Sequence, residues 1–212
     1  MTFQAKALFI AAALLVAATP AFACKGKTTM FSDDFREVDD SWGSDPAYVS
    51  VEDGRVKVKT DANTGYGILY SSTAFDKFDF CLTVRMPNNV EPTVSDGDGG
   101  LIFWASDNSN YYAFLISPNG AATVQRKNKG KWTVVVTSKK IEGVKTGPGA
   151  KNRLRVTADG GNLTFAINDL RFASIKGQAP PEPGQIGLRA DSEATKRDAW
   201  KFFDLVVTDL AK

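Results

Sequence analysis

Histidine is absent from the 212 residues of this chain. Its absence removes the commonest general base at neutral pH and the commonest metal ligand together. Cysteine is nearly absent: Cys24 and Cys81 are the only two, so at most one disulfide can form. An excess of either charge is also lacking, since 26 Lys and Arg stand against 24 Asp and Glu. The charges are interspersed, and nothing in them points to a nucleic-acid partner. Helical periodicity and internal repeats are missing after residue 24. The longest apolar run, "ALFIAAALLVAA" at 7–18, is shorter than the roughly 20 residues a membrane span needs, so no transmembrane segment is expected.

What is present begins with an export signal. Lys6 precedes that apolar run, and "AFA" at 21–23 is a small-x-small cleavage site. The sequence therefore predicts a signal peptide over 1–23 and a single exported domain over 24–212, periplasmic or extracellular. Loss of Lys6 takes the net charge from +2 to +1. Cys24 then carries two readings. The preferred one is a disulfide to Cys81, as an oxidising compartment favours. By the chain-entropy model a loop of nearly sixty residues gives about 4 kcal/mol, as an upper estimate. The other is lipoprotein acylation at Cys24, against which stands bulky Phe22 beside the cleavage site.

Strand signals dominate the mature chain. "KFDFCLTVRM" places Phe78, Phe80, Leu82, Val84 and Met86 on one face and Asp79, Cys81, Thr83 and Arg85 on the other. Cys81 thus points away from the core, within reach of an N-terminal segment. "RLRVTADGGNLTFAIND" reads as a hairpin turning at Asp159-Gly160-Gly161. About a dozen short strands, joined hairpin to hairpin, predict an all-β antiparallel two-sheet sandwich.

The stretch "GGLIFWASDNSNYYAFLISPNG" sets the register of one sheet. A four-residue turn at 107–110, with Ser106 facing Tyr111, keeps Leu101, Phe103, Ala105, Tyr112, Phe114 and Ile116 on a core face. Ile102, Trp104, Ser106, Tyr111 and Ala113 then share an outer face. Three-residue loops at 118–120 and 128–130 pair Phe114 with Val124, Val124 with Val134, and Gln125 with Thr133. Arg126 meets Trp132 at the rim.

This order of strands and turns, through "VQRKNKGKWTVV", "GQIGLRA" and "WKFFDLVVTD", resembles the concanavalin A-like lectin/glucanase superfamily. It is most similar to bacterial exported laminin-G-like and 3-keto-disaccharide hydrolase-like domains. The resemblance spans roughly Phe31 to Asp209. It implies a jelly-roll sandwich with a concave outer sheet on which relatives often bind carbohydrate. No cofactor is expected; sandwiches of the superfamily often carry a structural calcium between the first and last strands, and Asp33, Asp34 and Asp204 are the oxygen donors at matching ends here.

Sugars present apolar C–H faces and many hydroxyls, so their sites need flat aromatics beside planar polar groups. Trp104, Tyr111, Gln125 and Arg155 are the candidates for a glycan, with Thr133, Asn108 and Asn110 nearby. A glycoside hydrolase needs two carboxylates at set spacing, and glucanases of the superfamily carry a Glu-x-Asp-x-Glu array on one strand. Here Glu37, Glu52, Glu91, Glu142, Glu182 and Glu193 all fall in turns or loops, and only Asp96 and Asp98 in "SDGDGG" offer a pair. The expected function is an exported, non-catalytic glycan-binding sandwich. The alternatives are a 3-keto-disaccharide hydrolase-like enzyme and a cell-envelope protein-interaction domain.

Overall fold

Alternation turns into pairing along residues 151–167. Asn152, Leu154, Val156 and Ala158 are buried while the residues between them are not. The turn at Gly160-Gly161 then brings Leu163, Phe165 and Ile167 to the same side. This pattern repeats through the computed structural model, which describes residues 24–211 apart from 38, 44, 92 and 94–96. The expected signal segment and Asp96 lie outside the described residues.

The strands are β1 (Thr29–Asp33), β2 (Val49–Val51), β3 (Val56–Lys59), β4 (Gly65–Leu69), β5 (Phe78–Arg85), β6 (Gly99–Asp107) and β7 (Asn110–Ile116). They continue with β8 (Ala121–Asn128), β9 (Lys131–Lys140), β10 (Lys151–Asp159), β11 (Asn162–Ile167), β12 (Leu170–Lys176), β13 (Gln185–Asp191) and β14 (Ala199–Thr208). One sheet runs β12-β11-β10-β5-β14-β3-β2, with β1 also paired to β14. The other runs β4-β13-β6-β7-β8-β9. Neighbours pair antiparallel, as in β5 with β10 and β6 with β7. The fold is thus the all-β jelly-roll sandwich that the alternation predicts. Its core is filled by Phe78, Phe80, Phe103, Phe114, Phe165, Trp200 and Phe202, each essentially without solvent contact. At roughly 25 cal/mol per Å² of apolar area, such side chains supply most of the drive to fold.

Two registers differ from expectation. The β6–β7 pair aligns Phe103 with Tyr112 and then Asp107 with Asn110, so three residues of β6 oppose Tyr111 alone. This bulge sits at Trp104, whose φ of 51° is left-handed. It turns Trp104 inward, against Phe103 and Tyr112, and turns Ala105 outward against Tyr111. A Cβ at Gly184 would strike the Trp104 backbone, so the glycine lets the neighbouring chain approach the bulge. Trp104 is a core residue, not an outer-face one. At the β8–β9 turn, Lys129 and Gly130 both have positive φ, 50° and 79°, and form a two-residue loop in place of the expected three. Asn128 pairs with Lys131 and Lys127 with Trp132. A bulge then lets Val124 meet Val136 while Gln125 meets Val134, not Thr133. The loop at 118–120 and the Phe114–Val124 pair stand as read from the sequence.

Cys24 and Cys81 are disulfide-bonded, with Cα atoms 5.8 Å apart. The bond lays the N-terminal segment over Asp79, which accepts the Lys25 N–H at 2.8 Å. Asp79 is fully buried on β5 and is gripped by Arg155 of β10, through Nε at 2.6 Å and Nη2 at 2.7 Å. Arg155 therefore lies on the eight-stranded sheet, away from Tyr111, and its guanidinium is committed to Asp79. That placement corrects the grouping of Arg155 with Tyr111 and Gln125. The reason is topological, because β10 and β7 belong to different sheets.

The β13–β14 loop holds a second buried acid. Asp198 Oδ2 accepts the Glu193 N–H at 2.7 Å, and the Asn89 side chain acts on the same carboxyl. Burial pushes this carboxyl above its ordinary value, with the Glu193 N–H opposing. The folded chain thus holds the proton more tightly than the unfolded one. The contribution is full below the unfolded pKa and fades as pH rises through the folded value. Asp198→Asn, with no charge to bury, is expected to melt at a higher temperature than the wild type at about pH 7. At about pH 3, where both chains are neutral at this position, the two should coincide. Equal melting temperatures at the higher pH would contradict this account.

Candidate functional site

The outer face of the six-stranded sheet carries the concentrated chemistry. Strand pairing writes a line across it: Tyr111 of β7 faces Lys127 of β8, which faces Trp132 of β9. The Tyr111 and Trp132 rings meet edge to face, with centroids 5.5 Å apart. Lys127 Nζ lies over both rings, at 5.5 Å and 5.7 Å. From β13, the Arg189 guanidinium stacks over Trp132 at 4.6 Å and donates to Tyr111 Oη at 3.0 Å. Its other edge binds Asp191 through Nε at 3.0 Å and Nη2 at 2.5 Å. Such contacts between cations and aromatic faces are each worth about 0.5–1 kcal/mol when exposed and more when dry.

Beneath this layer lies a small apolar floor of Ile102, Ala105, Tyr111, Ala113 and Leu115. Tyr111 is only 4% exposed, whereas Trp132 is 39% exposed. Tyr111 thus anchors the layer, and Trp132 is its free aromatic surface. A cleft of about 460 Å³ opens beside them, walled by Tyr66, Leu69, Asp107, Gln185 and Arg189. Gly65 shapes its edge, since a Cβ there would overlap the Asp191 carboxylate. A smaller recess of about 210 Å³ lies across the Tyr111–Lys127 ridge, walled by Arg126, Gln178, Pro180 and Pro181.

The electrostatics follow from burial. Burial pushes the Lys127 ammonium below its ordinary range, and the Arg189 charge adds to that. Burial also pushes the Tyr111 phenol up, opposed by Arg189. Asp191 is pushed up by burial and pulled back by Arg189. Asp107 is held low by hydrogen bonds from Asn110 and the Ser109 N–H.

The sequence-expected residues divide. Tyr111 and Gln125 share the outer face, with Gln125 paired to Ala113 one step along from the Tyr111–Lys127 pair. Asn108 lines the larger cleft and Asn110 the smaller. Trp104 reaches only the wall of the smaller recess from the core side, with Nε1 donating to the Asp76 carbonyl at 3.4 Å. Trp132, expected at the rim against Arg126, pairs with Lys127 instead, and Lys127, Arg189 and Asp191 are not among the residues expected from the sequence. The signal for Trp132 was there: in a two-residue loop at Lys129-Gly130 it falls on the Tyr111 face.

The expected calcium donors Asp33, Asp34 and Asp204 all line one open recess of about 870 Å³, but their carboxylates do not converge on a common point. Asp33 accepts the Phe35 N–H at 2.7 Å and Trp42 Nε1 at 2.8 Å, which engages both its oxygens. Asp34 pairs with Arg36. The only acid or cysteine set that converges among the described residues is Cys24, Asp79 and Cys81. There the sulfurs are bonded to each other and the carboxylate to Arg155. Asp98 of "SDGDGG" accepts the Ser117 hydroxyl. No helix among the described residues is long and apolar enough to cross a membrane.

Solved structures with this fold include the carbohydrate-binding module CBM66 of Bacillus subtilis. It is 18% identical, with a TM-score of 0.52 over 73% of this chain and 83% of that one. The Emp47p carbohydrate recognition domain is 16% identical, with a TM-score of 0.63 over 84% and 94%. A Bacillus licheniformis β-glucanase is 7% identical, with a TM-score of 0.57 over 85% and 98%. At these identities the likeness shows the fold alone, a concanavalin A-like sandwich. No curated protein sequence matches the chain. The family evidence comes from the sequence itself, for the model of the 3-keto-alpha-glucoside-1,2-lyase-like domain matches residues 26–202, nearly the whole sandwich just described, and the chain belongs to that family.

Proposed function

We propose that the chain is an exported protein that binds carbohydrate on the outer face of its six-stranded sheet and does not cleave it. The observation that carries this reading is the exposed Trp132 ring, braced by Lys127, Arg189 and Tyr111, three residues that themselves line the 460 Å³ cleft. A flat aromatic offers a sugar its apolar stacking surface. The planar groups of Arg189, Gln185 and Gln125 offer hydroxyls their partners. Binding by CBM66 and by the Emp47p recognition domain, both named for carbohydrate, supports the same reading on the same fold. The Cys24–Cys81 bond supports an oxidising compartment.

Screening the wild type on a glycan array, then titrating its best ligand, tests this. Trp132→Ala is expected to weaken binding at least tenfold, or about 1.4 kcal/mol. Its melting temperature should stay close to that of the wild type, because the side chain is a surface one. Undiminished binding by Trp132→Ala would remove the proposed face.

The family membership favours a second reading, elimination across C1–C2 of a 3-keto-glucoside. That reaction takes a proton from C2, forms the C1–C2 double bond and returns a proton to the departing O1. The cleft groups able to exchange protons include Lys127, made more acidic by burial, Tyr111, Tyr66 and the Asp107 carboxylate. Product formation from a 3-keto-disaccharide that vanishes in Lys127→Met would establish this reading. No product above the uncatalysed rate is the result expected of a binding protein.

A further inference from the structure

We infer that the carbohydrate taken by this face is acidic, and that a negative group on one sugar unit seats against Lys127 Nζ between the Tyr111 and Trp132 rings. This rests on the glycan-binding reading above and adds the class of sugar.

The inference starts from unmatched charge. Lys127 carries three donors and no acceptor. One of them is spent on the Asn108 carbonyl at 2.9 Å, a neutral dipole. Among the described residues no carboxylate stands within ion-pair distance of Lys127. The two acids of the face are already engaged: Asp191 by Arg189, and Asp107 by Asn110 and the Ser109 N–H. Lys127 is therefore a cation of this face whose direct partners are a carbonyl and two rings.

Burial and the Arg189 charge act against the Lys127 ammonium, while Asp107 and Asp191 act for it from beyond ion-pair distance. A lysine held there only for its apolar stem would turn its head to water, as long basic side chains do. Here the head is drawn back over two rings, at the ridge that separates the two recesses. A negative group placed at Nζ offsets the Arg189 repulsion and uses the free donors in one contact. Charge-assisted hydrogen bonds of this kind are about twice as strong as neutral ones. Because the ridge touches both recesses, the charged unit is flanked on each side by space for a neighbour. The ligand is thus an oligomer with its charge internal to the bound stretch.

Carboxylate and sulfate ester share this chemistry, and the test separates them. Binding of tetragalacturonate, a sulfated galactotetraose and cellotetraose is measured by calorimetry on the full mature protein, in about 50 mM and about 500 mM salt. At low salt at least one acidic tetramer is expected to bind tenfold or more tightly than cellotetraose. That advantage should shrink at high salt. Lys127→Gln should remove it, Lys127→Arg should keep most of it, and both variants should melt like the wild type. The arm that binds names the anionic group. Cellotetraose binding as tightly as both acidic tetramers, or an advantage that survives in Lys127→Gln, overturns the inference and leaves the glycan reading intact. Failure of all three tetramers overturns the inference, and a blank glycan array beside it takes the glycan reading as well.

Discussion

Trp104→Ala is expected to destabilise the domain by about 3–5 kcal/mol, as large aromatic deletions in a core do. The indole is 3% exposed and packs against Phe103 and Tyr112, at centroid distances of 5.7 Å and 5.8 Å. The β6 bulge turns it inward, so its loss leaves a cavity between the sheets rather than a bare surface. The backbone gives an internal control. Trp104 sits at φ 51°, a left-handed conformation that costs a side-chain-bearing residue about 1–2 kcal/mol. Trp104→Gly loses the same packing but sheds that strain, against a smaller entropic cost. It should therefore be more stable than Trp104→Ala. Urea unfolding of both variants checks this. A loss under about 1 kcal/mol in the alanine variant would put Trp104 back on the surface.

The second large effect concerns Arg155. Arg155→Ala strips the fully buried Asp79 of its bidentate partner and leaves the carboxylate with the Lys25 N–H alone. Breaking a buried pair from one side costs about 3–5 kcal/mol, because an uncompensated charge remains. Removing both partners is a different matter. In the double variant Asp79→Leu, Arg155→Met no buried charge is left, so most of the loss should be recovered. The pair lies beside the Cys24–Cys81 bond, and its loss should also loosen the N-terminal segment over it. Faster proteolysis there in the single variant than in the double one is the accompanying sign. A mild Arg155→Ala phenotype would mean that the guanidinium is free for other work.

The sequence reveals the sandwich because alternation is a robust signal. Leu154, Val156, Phe165 and Ile167 could only be buried together if their strands paired as a hairpin, and they do. Cys81 was legible for the same reason, since it falls between Phe80 and Leu82 and must face outward, toward the N-terminal segment. The site was legible only in part, because its residues depend on two local departures from alternation. Nothing in "IFWASD" marks Trp104 as the residue to adopt a positive φ; the cause lies partly in Gly184, eighty residues away. At "NKGK" a loop of two residues or three changes the face on which Trp132 emerges, and the sequence permits both. Arg189 and Asp191 read as an ordinary strand end, and only the order β13-β6-β7 brings them to Tyr111.

The central claim, that ligand occupies the outer face at Trp132, is tested most directly by tryptophan fluorescence. Of the four tryptophans, Trp42, Trp104 and Trp200 are buried at 4%, 3% and 0% exposure, and Trp132 at 39% is the one that solvent reaches. Acrylamide quenching of the folded protein therefore reports on Trp132. With a saturating glycan bound, the accessible part of that quenching should disappear, and in Trp132→Ala it should be missing from the start. A glycan that binds by calorimetry yet leaves the quenching of the wild type unchanged would place its site elsewhere and contradict the account.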